Sequence, residues 1–257
     1  MKNRYTLALL VFCLLAVGAV LCFRRQHNPK ATLVGDEFYG VSLAMQNYIS
    51  ANASLPPAVG WSDQQPPAPL FSWRLKIQSF LEGFGYPGTD FRSAWNSESN
   101  SQLHKMPTSL ALSFRSDDNP DNFARIYAVT GDDTAFGPAD STATGWNPDD
   151  LPSDTIIAIE VAGSKKHWME PGDYDINTIR DNIVLDTGRL LGGESPDRFH
   201  VIFADFEVWA LSTKTPYNNF RKFLTITEAA EHDREELLSP HCLKTVSYTH
   251  LTLPTKA

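Results

Sequence analysis

The chain has 257 residues, a net charge of −8, 42% hydrophobic residues and three cysteines. That length supports one large domain or two small ones with enough apolar surface for a core. Lys2 and Arg4 are the only charges before Arg24, so taking their +2 from the net −8 leaves −10 on the rest, which argues against a nucleic-acid partner, whose footprint is basic.

Residues 5–23 carry no charge and include eleven Leu, Val or Phe. As a helix rising ~1.5 Å per residue they would extend about 28 Å, close to the ~30 Å hydrocarbon core of a bilayer. The stretch therefore predicts a single transmembrane helix, with residues 1–4 as a cytoplasmic tip and the C-terminal domain outside the cytoplasm. The lipid bilayer is the first expected partner. Val17-Gly18-Ala19 would also pass as a signal-peptide cleavage site. Cys13 and Cys22 fall inside the apolar stretch and Cys242 near the end. The domain between them can hold no internal disulfide and no thiolate metal site.

Residues 24–35 read as a polar link, with Pro29 breaking any continuous helix. Asp36 then offers an N-cap, and Phe38, Val41, Met45 and Tyr48 follow at helical spacing, predicting an amphipathic helix to about Ala51. The Pro-rich stretch 55–69 reads as an extended loop. Ser72 is the expected cap of a second helix reaching Gly83. Leu110–Phe114, Arg125–Thr130 and Thr155–Val161 read as strands separated by acidic loops at 116–122 and 131–153. Phe199–Ala204 and Val208–Ser212 flank a tight turn and predict a hairpin. Asn219–Leu224 and Glu228–Leu238 read as helices. This order of elements predicts an α+β class, over a domain spanning 36–238. The stretch 237–257 holds no acid, and Val246–Ala257 resembles translated sequencing-adapter read-through. Residues 239–257 are accordingly expected to be an unstructured tail.

Candidate chemistry is sparse. Ser195, His200 and Asp205 could be written as a hydrolase triad, but all three lie within eleven residues. Triad members ordinarily come from separate parts of a fold, and no G-x-S-x-G elbow occurs. Asp117, Asp118, Asn119, Asp121 and Asn122 have oxygen ligands suited to calcium but lack the EF-hand spacing. Asp132-Asp133 and Asp149-Asp150 read as solvated acids. His104, His167 and His200 lack metal-ligand spacing. No catalytic, cofactor-binding or metal residue is predicted, no cofactor is expected, and the chain is not read as an enzyme.

Several short pieces recur in a known order: Leu43–Tyr48 with Leu55–Ala58; Ser72, Trp73 and Arg74; Trp95-Asn-Ser97; Met106-Pro107; Tyr127, Gly131, Thr134 and Phe136; Asp154–Ile156 with Glu160; Trp168, Pro171 and Asp173; Phe203–Asp205 with Leu211-Ser212. On these pieces the chain resembles the bacterial family described as domain of unknown function 1559, PulG-like or pseudopilin-like and abundant in planctomycetes. The resemblance implies a pilin-like layout, in which the amphipathic helix packs on a mainly antiparallel sheet. It implies a role among other cell-envelope proteins and no activity. Its signature positions here are Ser72, Trp73, Arg74, Trp95, Thr134, Phe136, Glu160, Trp168, Pro171 and Asp205. Two departures stand out. Arg4–Leu9 lacks the glycine and glutamate of a prepilin-type N-terminus. The late signature His-x9-Asp-Gly reads Ser195, Asp205 and Phe206.

The first expected function is a membrane-anchored, non-enzymatic, pseudopilin-like envelope protein. The alternative is an extracytoplasmic solute-binding or transport-accessory protein, which would need a pocket with convergent polar groups. A hydrolase is the weakest reading.

Overall fold

The computed structural model describes residues 29–81, 88–105, 113–116, 119–138, 140, 144–161, 163–177 and 197–246. The chain divides into two units, Met1–Val34 and Gly35–Ala257. In the first unit the described residues, 29–34, are helical. All the described strands belong to the second.

Helix α1 runs Pro29–Asn52. The expected link over 24–35 thus gives way to helix from residue 29, and Asp36 is not its start. A proline breaks a helix only in the interior; at the first position its missing N–H would have had no partner. The helix ends where Asn52 Nδ2 donates to Tyr48 O at 2.8 Å and Ala53 turns left-handed at φ +62°. Phe38, Val41 and Met45 are fully buried and Tyr48 nearly so. The opposite face carries Gln46, Asn47 and Ser50, and that polarity disqualifies α1 as a bilayer span. No helix among the described residues is long and apolar enough to cross a membrane. The expected architecture, a transmembrane helix feeding a pilin-like domain, is corrected accordingly. The chain has mixed helix and sheet content around a six-stranded sheet. The stretch 5–23 lies outside the described residues.

The Pro-rich stretch contains a short antiparallel pair, β1 Val59–Trp61 with β2 Pro69–Ser72. Pro69 opens its strand, a position where a missing donor is tolerated. Helix α2, Trp73–Ile77, follows directly; Ser72 Oγ accepts from Arg74 N–H at 3.3 Å, the expected cap. It tightens into a 3-10 turn, Gln78–Phe80, instead of reaching Gly83. Gly83 lies outside the described residues. Strands β3 Ser113–Ser116 and β4 Asn119–Ala124 form a second small pair. Much of the stretch read as an acidic loop is therefore strand; Asp117 and Asp118 lie outside the described residues.

The main sheet contains β5 Ile126–Thr130, β6 Ile156–Glu160, β7 Tyr174–Asp175, β8 Arg198–Phe203, β9 Val208–Ser212 and β10 Cys242–Val246. Their order is β10-β9-β8-β6-β5-β7. Every pairing is antiparallel except β5 with β7. The inner strands β5 and β6 are buried along their whole length. That explains their continuous apolar runs, since neither face meets water. Helices α3 Tyr217–Phe220, α4 Ile226–Glu231 and α5 Arg234–Leu237 follow the hairpin. Thr225 and Asp233 cap α4 and α5 through their side-chain oxygens. The expected unstructured tail is corrected over 239–246: a 3-10 turn leads into β10, with Thr245 opposite Trp209. Residues 247–257 lie outside the described residues.

Candidate functional site

Three buried guanidinium groups organise the interior. Arg74, fully buried, commits all of its N–H donors. Nε donates to Trp168 O at 2.9 Å. Nη1 donates to Ile126 O at 3.1 Å and Asp173 Oδ1 at 2.7 Å. Nη2 donates to Glu170 O at 3.3 Å and Gly172 O at 3.1 Å. Asp173 Oδ1 also accepts from Trp73 Nε1 and from Ala128 N–H, both at 2.9 Å. A planar fork with five fixed donors suits such a cradle of carbonyls in a way an ammonium does not.

The second site joins β6, β8, the single residue between β4 and β5, and α1. Glu160 Oε1 accepts from Arg125 Nε at 2.9 Å and Nη2 at 2.7 Å. Its Oε2 accepts from His200 N–H at 3.0 Å and faces His200 Nδ1 at 2.6 Å. The Phe38 ring stacks on His200, centroids 5.1 Å apart, and lies under Arg125. Burial alone would raise the Glu160 pKa. The hydrogen bond from His200 and the charge of Arg125 outweigh it and hold the carboxyl below its ordinary value.

At the third site Arg234 meets Asp154, Asp205 and Glu207, its guanidinium lying over the Phe203 and Trp209 rings at 4.6 and 5.2 Å. These contacts fix α5 to the β8–β9 turn.

That turn forms one wall of a cleft of about 610 Å³. The second wall is the end of α1, with Gln46, Ile49, Ser50 and Ala53. The third is Asn147, Pro148, Asp149, Leu151 and Ser153, and Ala204, Asp205 and Phe206 complete the turn's side. Four non-glycine residues among those described have positive φ: Ala53, Asn122, Asp133 and Phe206. Asn and Asp are the types that tolerate this conformation; alanine and a bulky aromatic are not. Ala53 and Phe206 both line the cleft. Phe206 is held at φ +68° by its N–H donating to Phe203 O at 2.9 Å and its carbonyl accepting from Ser42 Oγ at 2.7 Å.

The predicted signature residues fall mostly into the interior. Ser72, Trp73, Arg74 and Trp168 meet at the first guanidinium site, and Pro171 lies in the loop that wraps it. Glu160 is the centre of the second, and Asp205 belongs to the third. Thr134 Oγ1 donates to Gly131 O at 2.9 Å, closing a loop whose glycine sits at φ +128° with the Ile176 side chain 2.6 Å from where a Cβ would stand. Phe136 packs on Trp73, centroids 5.5 Å apart. Trp95 stacks on His167 at 5.2 Å, with His104 4.9 Å from His167. Burial, then the charge of His104, lowers the His167 pKa to about 4.

His200 and Asp205 are not joined: His200 turns to Glu160 and Asp205 to Arg234. Ser195 lies outside the described residues. Asp133 is not merely solvated, because its carbonyl and carboxylate accept from Ile226 and Thr227 N–H at the start of α4. No group of three metal-ligating side chains occurs among the described residues. Sequence reading missed Arg125, Arg234 and the cleft. A charged residue bordering an apolar strand run was the available signal for Arg125. The lone arginine among the acids of 228–236 was the signal for Arg234. The cleft has no sequence signal, since its walls come from three distant segments.

The chain matches no protein-family model, no curated protein and no solved structure.

Proposed function

We propose that this chain is a non-enzymatic binding domain of the cell envelope that takes a small ligand in the cleft beside the β8–β9 turn. One observation carries the reading: the two residues of least tolerant type in left-handed backbone, Ala53 and Phe206, both form its walls. Strained backbone persists where the surroundings over-determine it, and it concentrates at ligand sites. The volume lies within the roughly 300–1,000 Å³ of small-molecule sites. The engagement of Arg74, Glu160, His200 and Asp205 in structural bonds supports a binding role over a catalytic one. The resemblance to the family of domain of unknown function 1559 supports a place in the envelope, as does the uncharged stretch 5–23.

The test is a thermal-shift screen of the full-length chain against amines, sugars, amino acids and organic acids, repeated on Ser50→Trp, which fills the cleft from its α1 wall. At least one class is expected to raise the melting temperature of the parent and not of the variant. Equal shifts in both proteins would place binding elsewhere and end this reading. Fractionation with a carbonate wash checks the location, with recovery in the membrane fraction expected.

A further inference from the structure

We infer that the cleft selects a cation on an apolar stem, an alkylammonium or the side chain of a lysine; this rests on the binding role proposed above. Among the described residues that line the cleft, the only ionisable side chains are the carboxylates of Asp149 and Asp205. No lysine, arginine or histidine lines it among the described residues. The nearest base placed by contact is Arg234, already shared among Asp154, Asp205 and Glu207. One guanidinium against three carboxylates leaves that wall negative, and exposed Asp149 adds a further carboxylate from the 147–153 segment. An anion entering here would meet like charge from both segments.

The rest of the lining sets the stem. Ile49, Leu151, Ala204 and the strained Phe206 supply apolar surface and Ser50 a neutral hydroxyl, while Asn147 Oδ1 already accepts from Asp149 N–H at 3.2 Å. An ammonium needs acceptors and a countercharge, and its methylenes need a dry wall, so the cleft offers both to one ligand. Aromatic surface beside carboxylates is also a favourable setting for a cation. Phe206 gives the strain a use. Glycine would relieve the left-handed backbone, so the fold has no need of phenylalanine there, while the cleft gains a wall from it.

The test is calorimetric titration of the full-length chain with hexylammonium, and with hexanol and hexanoate as neutral and anionic matches. A blocked lysine peptide tests the side-chain source. Hexylammonium or the lysine peptide is expected to bind at least about tenfold more tightly than hexanol, with hexanoate weakest and affinity falling as salt rises. Asp149→Asn is expected to weaken the cation about tenfold and leave hexanol unchanged. Phe206→Gly is expected to fold and to weaken both. Hexanol binding as tightly as hexylammonium, with both lost in Phe206→Gly, would overturn the cation and leave the cleft standing. Cation binding unchanged in both variants would overturn the site itself. Absence of binding by every probe would overturn the cation inference.

Discussion

Arg74 shows how much one side chain can hold. Its donors reach two separate segments, at 126 and at 168–173. Removing one partner of a buried ion pair leaves an uncompensated charge, a loss of about 3–5 kcal/mol. Arg74→Leu is expected to cost that much in urea unfolding, because Asp173 and the cradling carbonyls lose their donors together. A loss below about 1 kcal/mol would mean that they find other partners. His167 and Glu160 make stability depend on pH. His167 has a folded pKa of about 4 against an ordinary 6.5, so between these values the unfolded chain binds more protons and stability falls as pH falls. Glu160, held below its ordinary 4.5, acts in the same direction at lower pH: its contribution is present above that value and is lost as pH drops through the depressed one. Unfolding midpoints at pH 7 and pH 4.5 should therefore differ, and His167→Gln should shrink the difference. An unchanged difference would mean that His167 is not its source.

At the scale of elements, α1 is the piece that joins core to cleft. Its buried face sets Phe38 on His200, and one turn later Ser42 bonds the backbone of Phe206. Its last two turns supply Gln46, Ile49 and Ser50 to the cleft, and Ala53 follows just beyond its end. Phe38→Ala is expected to lose about 3–5 kcal/mol, the ordinary result of emptying a buried phenylalanine site. Ser42→Ala should lose about 1 kcal/mol, the net value of one hydrogen bond. Phe206→Gly should change stability by less than about 1 kcal/mol, because relief of the left-handed strain offsets lost contacts and the greater freedom of glycine in the unfolded chain. Urea titration of the three variants separates these effects. A large loss in Phe206→Gly would show that the ring belongs to the core and not to the cleft.

At the scale of the molecule, the guanidinium sites tie together segments far apart in sequence: 74 with 173, 125 with 160 and on to 200, 154 with 205 and 234. Few residues could leave this arrangement without breaking one of them. A chain beginning at Gly35 is therefore expected to unfold in one transition, with circular dichroism and tryptophan fluorescence coinciding. Two separated transitions would mean that the sheet and the β1–β2 region melt independently.

Much of the secondary structure was legible locally. The runs at 126–130, 156–160, 199–203 and 208–212 are β-branched and aromatic and bounded by turn residues, so a short window identifies them. Ser72 marked the start of α2, because a capping hydroxyl acts within three residues. The Phe38–Tyr48 stripe marked the buried face of α1. The helix start at Pro29, the pairing of 119–124 and the recruitment of 242–246 were not legible, since each depends on a partner strand or on position rather than composition. In sequence the signature residues stood out only through the resemblance, and most of them, among them Ser72, Trp73, Arg74, Glu160 and Trp168, are buried in the interior. A burial pattern can be inferred from periodicity, but the identity of a charge's partner cannot, because Coulombic and hydrogen-bond pairing depend on distance in space. The cleft is the extreme case. Its walls lie at 46–53, 147–153 and 204–206, and only the close packing of α1 against the β8–β9 turn brings them together.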